Sequence, residues 1–309
     1  MDNLLEINNV VKRYGDYTAL NNVSMHIPKG SVFGLLGPNG AGKTSLIRII
    51  NQITMPDSGS VILDGEALAP HHVEHIGYLP EERGLYKSMK VGEQALYLAQ
   101  LKGLSKSEAK KRLKYWFDKF DIGAWWGKKI EELSKGMAQK VQFIVTILHN
   151  PKLLIFDEPF SGFDPINAQL IAQEILKLRD KGATIIFSTH RMESVEEMCD
   201  YIALINKSNK VLDGKLVDIK KQFRTNTFQV GINTNSSVEL EGILREKFTV
   251  SPADFATVNE GVKLNVKLQE GDSPNDLLSF LMNKGEVHHF VELIPSANDI
   301  FIEAVNKNS

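Results

Sequence analysis

The stretch from Gly37 to Thr44 constrains the fold of this chain more than any other part of the sequence. It follows the apolar run Ser31–Leu36 and leads into the helix-like segment Ser45–Ile50. A glycine-rich loop that ends in lysine and threonine, placed between a strand and a helix, is the pattern of a phosphate-binding P-loop. Glycines allow the chain to curl, so that backbone N–H groups and the helix N-terminus surround phosphate oxygens. The alternative, an ordinary glycine-rich turn, is disfavoured by the correct flanking segments.

This loop predicts a site for a nucleoside triphosphate. We expect the Lys43 side chain to reach the β- and γ-phosphates and the Thr44 hydroxyl to bind Mg²⁺. The predicted nucleotide-binding residues of the loop are Gly37, Pro38, Asn39, Gly40, Ala41, Gly42, Lys43, Thr44 and Ser45.

Composition limits the partners that this site can serve. The 309 residues suffice for two domains, and the formal net charge of −2 gives no overall positive field for nucleic acid. The single cysteine, Cys199, excludes an internal disulfide and a cysteine-based zinc cluster, and is consistent with a reducing compartment. The first residues lack the pattern of a secretory signal, and no apolar run is long enough to span a bilayer. We therefore expect any work at a membrane to need a partner.

The order of predicted elements indicates an α/β fold. Leu4–Val11 and Val23–Ile27 alternate apolar and polar residues, which predicts antiparallel strands with Tyr14 in the polar link between them. Residues from about 85 to 149 have helical spacing and predict a helical subdomain. After Pro151, apolar strands alternate with helices, which predicts a parallel sheet whose ligands lie at the carboxyl ends of the strands.

The last part of the chain, residues 218–309, predicts a separate small α+β domain. Its βαββαβ order suggests a ferredoxin-like arrangement. The predicted strands are Phe228–Ile232, Phe255–Asn259, Val262–Leu268 and His288–Leu293, and the predicted helices are Val238–Phe248, Ser273–Asn283 and Ala297–Val305.

Two acidic residues follow the buried strand that begins at about Leu153. Asp157 lies at the strand end, where a P-loop enzyme holds Mg²⁺, and we expect it to bind the metal. Glu158, the next residue, is then directed at the γ-phosphate, where it can orient or deprotonate the attacking water. The alternative, two acids at an exposed strand end, is the weaker interpretation beside a P-loop.

The full series of motifs is more specific than any one of them. After the P-loop come Ser134-Lys-Gly136 before a long helix, Asp157-Glu158 after a strand, Ser161-Gly-Phe-Asp164, and His190 at another strand end. This ordered set resembles the ATP-binding cassette (ABC) family over roughly residues 3 to 216. The resemblance implies that residues 1–217 are an ABC-type ATP-binding domain and that ATP is hydrolysed.

The resemblance also implies roles for residues of two subunits, because cassettes of this family dimerise head to tail. Tyr14 matches the aromatic residue that stacks on adenine, and His190 matches the histidine that contacts the γ-phosphate beside the catalytic glutamate. Ser134 and Gly136 match the signature residues that contact the ATP of the other subunit, and Asp164 matches the loop that crosses the dimer interface. A homodimer is the expected assembly.

Two residues depart from the family pattern. Glu81 stands where the family usually has glutamine; it can still bind Mg²⁺, but it adds negative charge near the γ-phosphate, so we expect slower turnover or a tighter Mg²⁺ dependence. Lys135 stands where the signature usually has glycine, and we favour an orientation towards solvent. The residues expected to perform catalysis, Lys43, Glu158 and His190, are all present, which predicts an active ATPase.

The closing segment Pro295-Ser-Ala-Asn-Asp299 resembles that of sodium- and drug-exporter-like cassettes with an accessory C-terminal domain; a generic dimerisation or regulatory module is the alternative. We therefore predict the ATPase subunit of an ABC exporter, at the cytoplasmic face of a membrane and bound to separate permease subunits. No nucleic-acid partner is expected.

Two other functions compete with this prediction: a soluble cassette ATPase acting on ribosomes or DNA, and a small-molecule P-loop kinase. The first typically has two cassettes or a coiled-coil insertion, and the second needs no signature helix.

Overall fold

The structure is a computed structural model that describes residues 2–82, 84–256, 261–269 and 271–307. Contacts divide the chain into two compact units, one of Met1–Leu216 with Phe301–Ser309 and the other of Val217–Ile300. In chain order the described strands are β1 (Asn3–Tyr14), β2 (Tyr17–Pro28), β3 (Val32–Leu36), β4 (Ser58–Leu63), β5 (Glu66–Ala67), β6 (Ile76–Leu79), β7 (Leu153–Asp157), β8 (Thr184–Ser188), β9 (Tyr201–Asn206), β10 (Asn209–Lys215), β11 (Thr227–Asn233), β12 (Thr249–Pro252), β13 (Val262–Lys267) and β14 (Glu286–Glu292). The described α-helices are α1 (Lys43–Ile50), α2 (Val91–Leu101), α3 (Lys106–Lys119), α4 (Lys135–Ile147), α5 (Pro165–Asp180), α6 (Met192–Met198), α7 (Leu216–Gln222), α8 (Ser237–Lys247), α9 (Pro274–Met282) and α10 (Ala297–Lys307).

An antiparallel sheet begins the first unit, with the strand order β2-β1-β4-β5. Leu5 and Ile7 of β1 are buried opposite Ile27 and Met25 of β2, which confirms the predicted antiparallel pair. Both strands are longer than predicted, because the pairing continues to the very end of the hairpin. Tyr14 is therefore the last residue of β1, and its predicted place in the link was wrong.

The central sheet of this unit has the order β10-β9-β3-β8-β7-β6. The pairs β3–β9, β3–β8, β8–β7 and β7–β6 are all parallel, as predicted. Every residue of β3, β7 and β8 is buried, because helices and the antiparallel sheet cover the two faces of such a parallel sheet. The carboxyl ends of these neighbouring strands lie along one edge, and the loops that follow them meet there.

The helical region consists of α2, α3 and α4. Ser105 caps α3 by accepting a hydrogen bond from the backbone N–H of Glu108 at 3.2 Å, and Leu113 and Phe117 form the buried face of that helix. Lys119, at the end of α3, contacts the buried carboxylate of Glu174 on α5. No helix within the described residues combines the length and the apolar character needed to cross a membrane.

The second unit has an antiparallel sheet of order β12-β13-β11-β14, with α8 and α9 connecting its strands. This confirms the predicted βαββαβ order and its ferredoxin-like arrangement. Its core is apolar throughout and includes Val230, Leu244, Leu264 and Leu281.

One predicted strand of this unit was wrong. Phe255 and Ala256 lie outside any strand, and the rest of the predicted strand, residues 257–259, lies outside the described residues. The strand is instead β12, which follows α8 directly and pairs with β13. The apolar side chain of Phe255 does not belong to a strand; its ring stacks on the ring of His289, with the two centroids 4.2 Å apart.

Candidate nucleotide-binding site

The P-loop connects β3 to α1 through backbone that only glycine adopts without strain. Gly37 has φ of 148° and Gly42 has φ of 118°. A Cβ at Gly37 would lie 2.1 Å from the backbone oxygen of Ile205, and one at Gly42 would lie 2.3 Å from that of Ala19. The loop is therefore pressed against the neighbouring backbone, so the curled form that suits a phosphate is built into the fold.

Lys43 holds the loop in this form. Its Nζ donates hydrogen bonds to the backbone oxygens of Gly37 at 2.6 Å and Pro38 at 3.1 Å. Burial lowers the pKa of Lys43, while the carboxylates of Asp157, Glu158 and Glu81 act in the opposite direction. A partly buried ammonium group beside the curled backbone of the loop suits a polyphosphate anion.

A cavity of about 150 Å³ lies on this loop. It is lined by Tyr17, Ala19, Asn39, Gly40, Ala41, Gly42, Lys43, Thr44 and Ser45, so most of the predicted loop residues surround it. Ala41 packs inside the fold and Leu46 begins the buried face of α1, which anchors the loop to the core.

Tyr17 is a residue of this cavity that the sequence reasoning missed. Its hydroxyl donates a hydrogen bond to the backbone oxygen of Gly40 at 2.7 Å. Tyr14, the predicted adenine residue, pairs with Tyr17 across the hairpin and is 43% exposed, but it does not line the cavity. Recognising residues 15–16 as a two-residue hairpin turn would have placed Tyr17 opposite Tyr14.

Four charged side chains, those of Lys43, Glu81, Asp157 and Glu158, are close enough beside the loop for their charges to interact. Burial raises the pKa of Asp157, and the carboxylates of Glu81 and Glu158 raise it further, against the effect of Lys43. Three carboxylates with a single ammonium group leave excess negative charge, which a divalent cation would balance. The hydroxyl of Thr44 and the carboxylates of Asp157 and Glu81 are the oxygen donors that Mg²⁺ prefers.

Glu158 and His190 are in direct contact. Oε1 of Glu158 lies 2.7 Å from Nδ1 of His190 and accepts a hydrogen bond from its backbone N–H at 2.8 Å. The hydroxyl of Thr189, which the sequence reasoning did not single out, donates to Oε2 of Glu158 at 3.2 Å. Glu158 itself has φ of 48°, a left-handed conformation that is uncommon for a residue with a side chain. The loops after β7 and β8 thus fix this carboxylate from several directions.

The signature residues lie at the start of α4. The Ser134 hydroxyl accepts a hydrogen bond from the backbone N–H of Met137 at 3.2 Å, so it caps the helix. Among the described residues, no hydrogen bond or ion pair joins Ser134 or Gly136 to the P-loop of the same chain.

The loop before α5 packs against the signature. A Cβ at Gly136 would lie 3.1 Å from the backbone oxygen of Gly162, and Nζ of Lys135 donates to the Ser161 hydroxyl at 3.0 Å. The Lys135 residue is exposed, as favoured from the sequence, but its ammonium group is held by this loop. Asp164 caps α5 through the backbone N–H of Asn167 at 2.9 Å, and these hydrogen bonds lower the pKa of its carboxyl.

A second cavity, of about 310 Å³, lies between β6, α2 and α4. It is lined by Gly77, Tyr78, Pro80, Gly84, Leu85, Leu98, Leu101, Lys102, Gln142, Val145, Thr146 and His149. Within the part of the chain that the structure describes, the buried Oε1 of Gln142 and Nδ1 of His149 have no hydrogen-bond partner. Burial lowers the pKa of His149 to about 4, so its ring is neutral near pH 7. We call this cavity the helical groove.

Comparison with known proteins gives matches over both units. Residues 20–161 match the family described as ABC transporter, and residues 214–305 match that described as ATP-binding protein DrrA1-3-like, C-terminal domain. The chain is 43% identical over 306 residues to the uncharacterized ABC transporter ATP-binding protein YhaQ of Bacillus subtilis (strain 168), with 98% of each chain covered. It is 30% identical over 292 residues to the linearmycin resistance ATP-binding protein LnrL of the same organism, covering 93% of this chain and 91% of the relative. A solved structure of an ATP binding subunit of an ABC transporter is 32% identical with a TM-score of 0.67, covering 71% of this chain and 93% of that chain.

Proposed function

Because the chain belongs to the ATP-binding proteins of ABC transporters, as its 43% identity to a full-length relative shows, we propose that it hydrolyses ATP at a composite dimer site to drive export through separate permease subunits. That it binds ATP and belongs to an ATPase family follows from this membership. The assignment of residues, the dimer and the export are the parts that we propose. The observation that carries the proposal is the Glu158–His190 pair at the same sheet edge as the P-loop.

Glu158 is the proposed general base for the attacking water. Its carboxylate accepts hydrogen bonds from His190 and Thr189, which leaves it oriented and only 14% exposed. A carboxylate held in this way can orient water and take its proton without first reorganising. His190 is 79% exposed at its side chain, so it can contact both Glu158 and a phosphate oxygen.

Mg²⁺ would be held by Thr44, Asp157 and Glu81, and when bound it neutralises charge on the phosphates. The chain's own contribution is to hold the triphosphate. The curled loop directs its N–H groups at the phosphates, and Lys43 exchanges its contacts with the loop oxygens for phosphate oxygens. Tyr17 fixes the rim of the loop, and Tyr14 is the proposed platform for adenine.

The second half of the site is proposed to come from another cassette. Ser134 and Gly136 at the N-terminus of α4 would complete the surroundings of the γ-phosphate bound to the partner's P-loop. Asp164 lies in the loop that packs on the signature, so both elements belong to one interface. Hydrolysis removes the charge that joins the two cassettes and loosens the dimer.

The helical groove is the proposed docking site for the permease. Its largely apolar lining suits a short helix from a membrane subunit. The groove lies between the strand that leads to Glu81 and the helix that carries the signature, so an occupant would contact one element from each half of the proposed ATP site. The similarity of this chain to the linearmycin resistance ATP-binding protein LnrL supports export. Binding to a permease would place the chain at the cytoplasmic face of the membrane.

Substitution of Glu158 tests the catalytic assignment. Glu158→Gln should lower the ATP hydrolysis rate by at least about a hundredfold, because general-base catalysis is lost, while ATP affinity changes little. Glu197→Gln on α6 is a matched control that should retain the parent rate. A Glu158→Gln protein with near-parental hydrolysis would contradict the assignment.

Membrane association tests the transport proposal. The chain, expressed with its permease in native membranes, should fractionate with the membranes and co-purify with a protein that has several membrane-spanning helices. Leu101→Asp in the helical groove should weaken this association. Association with ribosomes or DNA instead would favour the soluble ATPase alternative.

A further inference from the structure

Three side chains outside the nucleotide site converge at the edge of the antiparallel sheet. Nε2 of His71 and Nε2 of His72 each lie 3.7 Å from the same carboxylate oxygen, Oε2 of Glu66. One ligand atom from each of the three residues lies within 4.8 Å of the other two. These distances are longer than hydrogen bonds, so the polar atoms face a common point without bonding directly to one another.

The backbone brings the three residues together within a short segment. Residues 64 and 65 have φ of 53° and 88°, as a two-residue hairpin turn requires, and this turn places Glu66 opposite Leu63 at the start of β5. Pro70 then begins a 3-10 helix, Pro70–His75, that carries both histidines. The position of all three donors is therefore set by local structure rather than by distant loops.

The backbone of Ala69 fixes the ring of His72. His72 is only 4% exposed, and its Nδ1 accepts a hydrogen bond from the backbone N–H of Ala69 at 3.0 Å. The backbone oxygen of Ala69 lies 3.2 Å from the same Nδ1, so either tautomer of the ring has a partner. Nε2 can therefore present a lone pair while Nδ1 donates to the backbone, the arrangement that fixes ring orientation in metal sites. The His71 ring packs on that of His72, with centroids 4.0 Å apart.

We propose that Glu66, His71 and His72 bind a divalent transition metal ion, Zn²⁺ in particular. Two imidazole nitrogens and one carboxylate oxygen suit zinc, whereas Mg²⁺ and Ca²⁺ prefer oxygen donors alone. Ligand distances of about 2.1 Å in a tetrahedral site place the donor atoms about 3.4 Å apart. The two contacts of 3.7 Å thus need to shorten by a few tenths of an ångström, and the two histidine donors, which lie within 4.8 Å of each other, must also come to about 3.4 Å; the exposed side chains of Glu66 and His71 allow this. Three protein ligands leave a fourth position for water or another donor.

Metal titration of the untagged, full-length chain without nucleotide tests the site. The protein is first freed of metal with a chelator and then titrated with Co²⁺, whose visible absorption reports a tetrahedral site. We expect one Co²⁺ per chain, displaced by Zn²⁺. The variants Glu66→Gln and His71→Ala should each weaken binding by at least about tenfold, because losing a ligand costs no less than losing a supporting contact.

Two neighbouring substitutions serve as controls. His75→Ala and Glu74→Gln alter the same exposed 3-10 helix and leave the three proposed ligands in place, so metal affinity should remain at the parental value. Circular dichroism and the thermal midpoint of each variant without metal should match those of the parent. The proposal is overturned if Co²⁺ does not bind, if Glu66→Gln and His71→Ala bind it as well as the parent, or if the control variants lose it equally.

Discussion

Glu81 adds a negative charge that acts on the proposed site. It follows β6, and its carboxylate raises the pKa of the buried Asp157, although burial of Asp157 is the larger cause. Glu81→Gln removes one of the like charges and should lower the pKa of Asp157. We therefore expect the acidic limb of the ATP hydrolysis profile to move to lower pH, because Asp157 stays ionised there, and the rate near neutral pH to rise a few-fold.

The same substitution should weaken the Mg²⁺ dependence, since a neutral amide oxygen attracts the cation less than a carboxylate does. The measurement is hydrolysis rate against pH and against Mg²⁺ concentration. Glu82→Gln, the next residue along the chain and also exposed, is the matched control. An identical rate, pH profile and Mg²⁺ optimum for parent and Glu81→Gln would show that the Glu81 charge does not act on the reaction.

Individual residues also mark the limit of what the sequence could predict. Motif spacing predicts Lys43, Asp157 and Glu158 as site residues, because chemistry fixes both the residue type and its distance along the chain. Tyr17 was not identified, since its place in the cavity depends on the pairing of two strands. The contact between Lys135 and Ser161 was missed for a similar reason, because it joins loops that are 26 positions apart.

At the scale of elements, Asp64 joins the hairpin turn of the antiparallel sheet to two other parts of the chain. Its carboxylate lies 2.9 Å from Nζ of Lys29 and 2.7 Å from Nζ of Lys152, next to β7. Hydrogen bonds from Lys152 and then Lys29 lower the pKa of Asp64 to about 2. The folded-state pKa is therefore below the unfolded value, so the pairs stabilise the fold above about pH 4 and lose that effect as the pH falls towards 2.

Asp64→Asn should lower the free energy of unfolding near neutral pH by about 1 kcal/mol or less, because the pairs are close to solvent. The difference from the parent should shrink between about pH 5 and about pH 3. Asparagine tolerates the left-handed backbone at this position, so the turn itself is retained. Urea unfolding across that pH range measures the effect, with Asp16→Asn in the other hairpin turn as control. A difference that grows as the pH falls would contradict the assigned pairs.

Most elements could be predicted because their hydrophobic patterns are strong. The fully buried strands β3, β7 and β8 read as continuous apolar runs, and the ferredoxin-like order followed from alternating strands and helices. The prediction of a strand at residues 255–259 was wrong. Phe255 stacks on the side chain of His289, and the sequence alone does not distinguish such an aromatic residue from one in a strand. The closing Pro-Ser motif has a local structural role as well, since Ser296 and Asp299 cap each other at the start of α10.

At the scale of the whole molecule, one chain supplies both halves of the proposed site, and within the described residues no hydrogen bond joins the two halves. Glu158 and His190 lie with the P-loop at the edge of the central sheet, whereas Ser134 and Gly136 begin α4. The hydrogen bonds of the described signature residues stay within α4 and its neighbouring loop. In the proposed head-to-tail dimer, each subunit would offer its signature to the nucleotide of the other. The ATP would then form part of the interface between the two subunits.

This arrangement predicts that ATP controls the oligomeric state when hydrolysis is blocked. Glu158→Gln with ATP should form a stable dimer, because the bridging γ-phosphate persists, and should return to monomer when ATP is replaced by ADP. Light scattering after gel filtration measures the mass of each form. Adding Lys43→Ala to Glu158→Gln should abolish the dimer, since the phosphates are then bound weakly, and this double variant controls for dimerisation unrelated to nucleotide. If Glu158→Gln binds ATP and yet stays monomeric, both alone and with its permease, each ATP is completed within one chain and the composite site is wrong.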